Sequence, residues 1–217
     1  YLIDSYYRWF YSAYDCIEDA ERFSQVRERI ENMYSFIYLQ KVTPKWNQEL
    51  TDNLMADTGL KRQEDFYRNY LKAYEGKNRV IVIISDAFRY ECAKELMEQL
   101  ELDEKCTPKL ECMISGLPSV TSVGMASLLP HKELSLEAGE KQVAVLADGI
   151  STNADYRQKV LQSYNLNSVA IPAKKLLEEK REQRKARVKG MDVVYIYHDV
   201  IDSNSHNDNP DTCAACR

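Results

Sequence analysis

The stretch "VIVIISDAFRYE", residues 80–91, decides the fold because it joins a buried strand to a carboxylate. Five consecutive β-branched residues, Val80 to Ile84, form an apolar run typical of a strand that is covered on both faces. Asp86 follows one residue later, and ligands of open α/β sheets bind beyond the carboxyl ends of the strands. Asp86 is therefore either a cap for the next helix or a ligand for a bound group.

Strand patterns and helix patterns alternate along the chain after this first strand. The strand patterns occur at residues 107–115, 141–146, 167–171 and 191–199, and the helix patterns at 93–101, 121–129, 154–164 and 173–189. Apolar strands that alternate with helices are typical of parallel sheets. The sequence therefore predicts an α/β fold with a mostly parallel sheet and helices on both faces.

Residues 1–76 have a different pattern and are predicted to be a helical lead-in or subdomain that precedes a domain over 77–217. Apolar residues recur at helical spacing from Leu2 to Tyr14 and again from Val26 to Ile37. Pro44 is expected to interrupt the helices, with two more helical stretches following around 45–56 and 62–75. The many tyrosines could stack on bases, but we favour half-buried packing as their role.

The composition excludes several classes of protein. A net charge of −5 over 217 residues argues against binding nucleic acid mainly through bulk electrostatics. The sequence contains no apolar run of the ~18 residues that a membrane-spanning helix needs and no signal-peptide pattern, so we expect a cytoplasmic protein with no membrane partner.

The cysteines do not form a disulfide framework. Six are scattered over a chain large enough to fold without such crosslinks, so reduced thiols are expected. Only Cys213 and Cys216, in the terminal "CAAC", have the spacing of metal ligands, with His206 as the nearest further candidate. We favour two free thiols over a zinc knuckle at this position.

A second candidate site lies in "GLPSVTSVGMASLLP", residues 116–130. The predicted helix begins near Thr121, so its hydroxyl and the neighbouring backbone N–H groups would lie at the positive end of the helix dipole. This arrangement suits a phosphate group and supplies a potential nucleophile. The alternative is an ordinary helix cap provided by Ser119 or Thr121.

A third candidate site follows the last predicted strand, in "VVYIYHDVIDSNSHN", residues 193–207. Asp202 and His206 are four residues apart, so a helical turn would place both on one face. One oxygen and one nitrogen ligand suit zinc or manganese. His198 is either functional or a packed residue at the strand end that is hydrogen-bonded to the backbone.

Four blocks in this order resemble the PglZ domain of bacterial phage-exclusion (BREX) systems, within the alkaline phosphatase superfamily. The blocks are "VIVIISDAFRYECAKEL", "LPSVTSVGMASLLP", "LADGISTNADYRQKVL" and "VVYIYHDVID", and the resemblance covers about residues 78–204. It implies an alkaline-phosphatase-like fold and a metal-dependent phosphatase or phosphodiesterase of a phage-defence system. The implied partners are other proteins of that system and a phosphoester or nucleic-acid substrate.

The resemblance also implies roles for individual residues. Asp86 matches a ligand of the first metal, Thr121 the metal-bound nucleophile, and Asp202 and His206 the ligands of the second metal, with zinc or manganese as the two ions. Asp148, Asn153 and Arg157 lie in a block typical of the family, and Arg157 could contact the phosphate.

Two departures from the family pattern qualify these assignments. The family often carries Gly-Asp where this chain has Ser205 and His206. The superfamily completes its metal site with a later Asp-His pair and a further histidine, and no histidine follows His206. We therefore expect a truncated domain with an incomplete site that binds metal weakly or not at all.

Two other functions remain open on the sequence alone. One is a non-catalytic scaffold that docks other defence proteins through the tyrosine-rich helices and the basic stretch at residues 180–189. The other is a regulatory domain that binds phosphate without turnover.

Overall fold

A computed structural model describes residues 1–53, 59–138 and 143–205. Their contacts form two compact units. The helical unit comprises the described parts of residues 1–58, 88–110 and 201–217, and the sheet unit comprises those of residues 59–87 and 111–200. The family-domain boundary expected at residue 76 is a different division and stays a prediction.

The strands of the sheet unit are short, and the longest have six residues. They are β1 (Lys61–Arg62), β2 (Val80–Ser85), β3 (Met113–Ile114), β4 (Leu134–Ala138), β5 (Val143–Ala147), β6 (Ile150–Ser151), β7 (Ser168–Pro172) and β8 (Val193–His198).

A parallel sheet with the strand order β2-β8-β7 forms the centre of the sheet unit. The register pairs Val80 with Val193 at one end and Ser85 with His198 at the other. The central strand β8 is buried on both faces, because Val194 and Tyr195 point to opposite sides and both are fully covered. The apolar run in the sequence reflects this double burial, and the expectation of a parallel sheet is confirmed for these three strands.

A second sheet is antiparallel, with the order β4-β5-β6, so the parallel arrangement does not extend to the strand predicted at 141–146. Asp148 and Gly149 form the two-residue turn between β5 and β6, and both have positive φ, at 49° and 78°. This is the geometry of a type I′ turn, which favours a hairpin. Only Met113–Ile114 of the strand expected at 107–115 is a strand, paired in parallel with β1.

Helices occupy most of the remaining described residues. They are α1 (Leu2–Tyr14), α2 (Ser24–Asn32), α3 (Gln40–Asn53), α4 (Tyr90–Glu101), α5 (Thr121–Ser127), α6 (Arg157–Tyr164), α7 (Ala173–Glu178), α8 (Arg181–Val188) and α9 (Val200–Ser205). Shorter helical segments are the π-helices Met33–Leu39 and Tyr67–Leu71 and the 3-10 helices Ala20–Phe23, Gln63–Asp65, Lys72–Tyr74 and Ala154–Tyr156. The placement of helices on both faces of the parallel sheet stays a prediction.

Three helix predictions were wrong in detail. Pro44 does not interrupt the helix but lies inside α3, about one turn after the π-helical segment. Changes of helix geometry commonly accompany a proline. The stretch 62–75 is a series of 3-10 and π turns rather than one helix. The helix expected over 173–189 is broken between α7 and α8, because Glu179 and Lys180 have extended backbone angles.

The core of the sheet unit lies on the face of the parallel sheet that carries Tyr195. This face packs against Leu129, Leu161 and Leu71, and each of these three side chains is at most 1% exposed. The Tyr195 hydroxyl donates a hydrogen bond to the Leu128 carbonyl at 2.7 Å, so its polar atom is satisfied inside the core. The hydrogen bond ties the middle of β8 to the residue that follows α5.

The helical unit pairs aromatic hydroxyls with carboxylates. Tyr7 donates a hydrogen bond to Glu31 at 2.8 Å, Tyr11 donates to the same carboxylate, and Tyr34 donates to Asp4 at 2.8 Å. Burial and these acceptors raise the pKa of Tyr11 and Tyr34.

The apolar stripe predicted on α1 is only partly packed. Tyr14 is buried, whereas Leu2 and Tyr6 are exposed. The expected packing role of the tyrosines is thus confirmed for Tyr14 and not for Tyr6. Among the described residues, no helix is long and apolar enough to cross a membrane.

Candidate functional site

Asp86 directly follows β2, at the carboxyl end of the parallel sheet. Its backbone N–H donates a hydrogen bond to the His198 carbonyl at 2.9 Å, which extends the pairing of β2 with β8 by one residue. Asp86 is therefore attached through its backbone to the ends of two adjacent parallel strands, and its side chain is half-buried there. This is the position at which open α/β sheets bind ligands.

Asp86 does not cap the following helix. Helix α4 starts at Tyr90, and no side chain caps its first turn. The Asp86 carboxylate instead accepts the N–H of Ala87 through Oδ1 at 3.0 Å. Ala87 has a φ of 60°, a left-handed conformation that costs a non-glycine residue about 1 kcal/mol. Such strain is common at functional positions, and it favours a ligand role over a cap for Asp86.

The ring of His198 is hydrogen-bonded to a side chain rather than to the backbone. Its Nδ1 and the Ser85 hydroxyl are hydrogen-bonded at 2.9 Å, across the last register pair of β2 and β8. The sequence left His198 open between a functional group and a packed residue bonded to the backbone. The structure makes it a half-buried neighbour of Asp86 with an oriented ring.

Thr121 is the first residue of α5 and is exposed. The residue before it, Val120, occupies the cap position, and no side chain caps the helix. Within the described part of the chain, neither the Ser119 nor the Thr121 hydroxyl forms a hydrogen bond, so the alternative of an ordinary helix cap is wrong. The Thr121 hydroxyl is thereby available for another role.

Arg157 lies at the first turn of α6 and is half-buried. Its Nε donates a hydrogen bond to the Thr152 carbonyl at 3.2 Å, and its guanidinium carbon lies 4.3 Å from the centre of the Tyr197 ring. That distance is within the range of a cation–π interaction. Tyr197 is the penultimate residue of β8, so Arg157 lies over the same strand end to which Asp86 is attached.

The other two predicted ligands are less well placed. Asp202 lies in the first turn of α9, and its contacts assign it to the helical unit, whereas Asp86, Thr121 and Arg157 belong to the sheet unit. His206, and with it the Cys213 and Cys216 pair, lies outside the described residues.

A complete metal site is not formed by the described residues. Over residues 1–53, 59–138 and 143–205, no three His, Cys, Asp or Glu side chains form a group that could hold a metal ion. Zinc sites in proteins use at least three protein ligands. The carboxylates of Asp86 and Asp202 and the Thr121 hydroxyl therefore do not by themselves fit a zinc or manganese ion.

Asp148, which the family pattern brought to attention, has a structural role in the hairpin turn. Its carboxylate accepts hydrogen bonds from the backbone N–H of Lys132 and Glu133, at 3.1 and 3.0 Å, and from the Tyr164 hydroxyl at 2.5 Å. Asn153 precedes the 3-10 turn that leads into α6, and its carbonyl accepts the N–H of Arg157 at 3.2 Å. Neither side chain is placed at the carboxyl end of the parallel sheet by these contacts.

Tyr197 is the residue of this region that the sequence did not indicate. It appeared as one member of an apolar strand, and nothing local to "VVYIYHD" distinguishes its ring from that of Tyr195. The alternation of the strand does place Tyr195 and Tyr197 on one face and His198 on the other. That signal gives the face of the ring but not its arginine neighbour, which lies 40 residues earlier.

Comparison with known families gives one match that covers most of the chain. Residues 66–215 match the family described as the BREX system PglZ alkaline phosphatase-like domain. The match includes Asp86, Thr121, Arg157, Asp202 and His206.

Two curated proteins are similar to the chain. The alkaline phosphatase-like protein PglZ of Bacillus cereus (strain H3081.97) is 37% identical over 205 residues, which is 93% of this chain and 24% of that protein. The alkaline phosphatase-like protein BrxZ of Escherichia coli O9:H4 (strain HS) is 36% identical over 198 residues, which is 87% of this chain and 22% of that protein. The chain thus spans about a quarter of the length of these relatives, and no solved structure matches it significantly.

Proposed function

Because the chain belongs to the family of BREX system PglZ alkaline phosphatase-like domains, we propose that it supplies part of the active site of a metal-dependent phosphohydrolase in phage defence. The observation that carries the proposal is the position of Asp86 at the paired carboxyl ends of β2 and β8. A carboxylate held there by backbone hydrogen bonds is suited to a ligand-binding role. The strained left-handed Ala87 beside it supports the same role.

The proposed catalytic groups of this chain are a hydroxyl and a guanidinium. Thr121, exposed at the start of α5, is the nucleophile that attacks phosphorus, displaces the leaving group and becomes a phosphothreonine that water then hydrolyses. Arg157 binds the non-bridging oxygens of the phosphoryl group, since a guanidinium donates paired hydrogen bonds to phosphate.

Asp86, Thr121, Asp202 and His206 are the proposed protein ligands of two zinc or manganese ions. Bound ions of this kind would lower the pKa of the nucleophile and neutralise charge on the phosphoryl group. Since the described residues do not complete such a site, we propose that further ligands come from outside the described residues, including further parts of a protein as long as the curated relatives. The substrate class is a phosphomonoester or phosphodiester, including nucleic acid, and the partners are other proteins of the BREX system.

A second function, a docking component without turnover, is favoured by a specific feature of the helical unit. Large apolar side chains on its helices are exposed, among them Tyr6, Trp9, Phe36 and Trp46. Exposed aromatic residues of this kind are enriched at protein–protein interfaces. The basic stretch in and before α8 would add a charged surface for the same purpose.

The two functions are separated by an assay on the full-length protein. We expect hydrolysis of a chromogenic phosphodiester in the presence of zinc or manganese, and we expect Thr121→Ala to abolish it because the nucleophile is lost. Ser122→Ala is the matched control, since Ser122 is also an exposed hydroxyl in the first turn of α5 and should leave the rate unchanged.

Equal rates for Thr121→Ala and the unmodified protein would contradict the proposed nucleophile. The absence of hydrolysis in the unmodified protein, across phosphomonoesters and phosphodiesters and with both metals, would favour the docking function. Phosphate binding without turnover would instead support a regulatory domain.

A further inference from the structure

The charge of Arg157 has no carboxylate partner in the part of the chain that the structure describes. The guanidinium is half-buried, and its contacts are a carbonyl, that of Thr152, and an aromatic face, that of Tyr197. Burying a charge without a counter-charge is unfavourable, so buried cations in proteins are normally paired. An arginine in this state is prepared for an anionic ligand.

Tyr197 determines where that charge lies. In the register of the parallel sheet, Tyr197 pairs with Ile84 of β2 and with Pro172, the last residue of β7. The ring is therefore at the carboxyl end of all three strands. The next residue along β8 is His198, whose backbone carbonyl accepts the hydrogen bond from the Asp86 N–H. The Tyr197 ring thus holds a cation at the same sheet edge as the proposed ligand Asp86.

The contact depends on the ring of Tyr197 and not on its hydroxyl. Among the described residues, the buried hydroxyl oxygen has no hydrogen-bond partner, so it does not bind Arg157. Burial raises the pKa of Tyr197 to about 12, although the nearby Arg157 charge acts in the opposite direction. The phenol is therefore neutral at physiological pH, and the attraction is a cation–π interaction rather than an ion pair.

We propose that Tyr197 is a positioning residue that holds the Arg157 guanidinium at the carboxyl end of the parallel sheet, where the guanidinium binds a phosphoryl group. Two contacts fix the side chain from different directions. The Nε–H···O=C bond to Thr152 anchors the stem side of the guanidinium, and the face of the Tyr197 ring contacts its central carbon at 4.3 Å. The remaining N–H donors, on the two Nη atoms, are the ones that a guanidinium presents to phosphate oxygens.

This inference rests on the proposed function for the identity of the ligand as a phosphoryl group. A purely structural reading of the same contact would have Arg157 cover the Tyr197 ring and contribute only to packing. The two readings differ in what happens when both residues are changed. Positioning predicts that the effect of Tyr197 on phosphate binding disappears once Arg157 is absent, whereas packing predicts no effect on phosphate at all.

The test is a double-mutant cycle in the full-length metal-loaded protein, with inorganic phosphate as the probe and isothermal titration calorimetry as the measurement. We expect Arg157→Ala to weaken phosphate binding by about tenfold or more, and Tyr197→Leu, which removes the π face, to weaken it by about fivefold. The double variant should bind phosphate as weakly as Arg157→Ala alone. Tyr197→Phe is the matched control, since it keeps the ring and should bind phosphate as the unmodified protein does.

Several outcomes would overturn the inference. Additive losses in the double variant would show that Tyr197 does not act through Arg157, and a loss in Tyr197→Phe equal to that in Tyr197→Leu would assign the effect to the hydroxyl. Unchanged phosphate binding in Arg157→Ala would show that Arg157 does not bind the anion. Thermal unfolding of each variant, measured in parallel, identifies a variant that fails to fold, and Arg157→Gln, which removes the charge but keeps a long side chain, then replaces Arg157→Ala in the cycle.

The same experiment separates this inference from the proposed function. Coupled loss of phosphate binding in a protein that hydrolyses no phosphoester would support the positioning role and contradict the hydrolase. Hydrolysis that depends on Thr121, with no coupling between Tyr197 and Arg157, would support the hydrolase and contradict the positioning role.

Discussion

Two apolar strands of the sheet unit, β2 and β5, are each followed directly by an aspartate, yet the two carboxylates have different surroundings. Asp148, after β5, accepts hydrogen bonds from two backbone amides and from the Tyr164 hydroxyl. Asp86, after β2, accepts the N–H of the next residue and is attached through its own N–H to the end of β8. The first carboxylate builds a turn, and the second lies at the end of a parallel sheet.

The backbones of the two strand ends differ in the same sense. After β5, the left-handed positions are taken by Asp148 and Gly149, residue types that tolerate positive φ and form type I′ hairpins. After β2, the left-handed position is taken by Ala87, for which positive φ is strained. A turn optimised for stability and a turn that stores strain beside a carboxylate are thus found in one unit, and only the second has the features of a functional position.

The largest expected effect concerns activity at the two aspartates. Asp86→Asn in the full-length protein should lower phosphoester hydrolysis by more than about 100-fold, because an amide is a poor replacement for a ligating carboxylate. Asp148→Asn, the matched change at the other strand end, should leave the rate near that of the unmodified protein. Initial rates with the chromogenic phosphodiester, at equal metal occupancy, measure both.

The comparison would fail if the two asparagine variants lost activity equally, since the carboxylate after β5 would then be as important for turnover as the one after β2. Circular dichroism of both variants checks that each retains its fold.

A smaller effect is expected on stability from exchanging glycine and alanine at the two turns. Ala87→Gly should raise the stability of the sheet unit by up to about 1 kcal/mol, because glycine adopts positive φ without the steric cost. Gly149→Ala should lower it by about 1 kcal/mol for the converse reason. Apart from the glycine and its two chain neighbours, no atom of the described residues lies within 4 Å of a Cβ added at Gly149, so the loss would arise from the backbone alone.

Hydrogen–deuterium exchange of the β2 and β5 amides measures these changes locally. A destabilising Ala87→Gly would show that Ala87 is not strained and would weaken the functional reading of that turn.

The sequence predicted the parallel sheet because a buried strand can be recognised from its own residues, without knowledge of distant contacts. Five β-branched residues in β2 and the similar run in β8 identify buried strands, and the rule for strand ends then identifies Asp86. The antiparallel sheet of β4, β5 and β6 also had local signals in the sequence. Residues 134–138, "LSLEA", alternate with period two, as a half-buried strand does, and Asp148-Gly149, between β5 and β6, is a common type I′ turn pair.

The remaining features could not be predicted, because they depend on contacts between distant parts of the chain. The cation–π contact of Arg157 with Tyr197 joins residues 40 positions apart through the packing of α6 on the parallel sheet. The break between α7 and α8 falls in a charged stretch with strong helix formers, where propensity predicts continuity. The site that the family pattern assembles from Asp86, Thr121, Asp202 and His206 likewise stays a prediction.

The smallest expected effect is the pH dependence that the hairpin carboxylate adds to stability. Desolvation raises the pKa of Asp148, but the hydrogen bonds from Tyr164 and from the Glu133 and Lys132 amides, with the charge of His131, outweigh it, so the net pKa is lowered. A carboxyl whose pKa is lower in the folded state stabilises the fold above its unfolded pKa of about 3.9 and loses that contribution as the pH falls through the folded value.

Because Asp148 is exposed, solvent reduces the size of the effect. The protection of the β4–β6 amides against exchange, relative to their intrinsic exchange rates at each pH, should therefore fall on acidification below about pH 4 more in the unmodified protein than in Asp148→Asn, which has no charge to lose. Identical acid profiles for the two proteins would show that the Asp148 charge does not stabilise the hairpin.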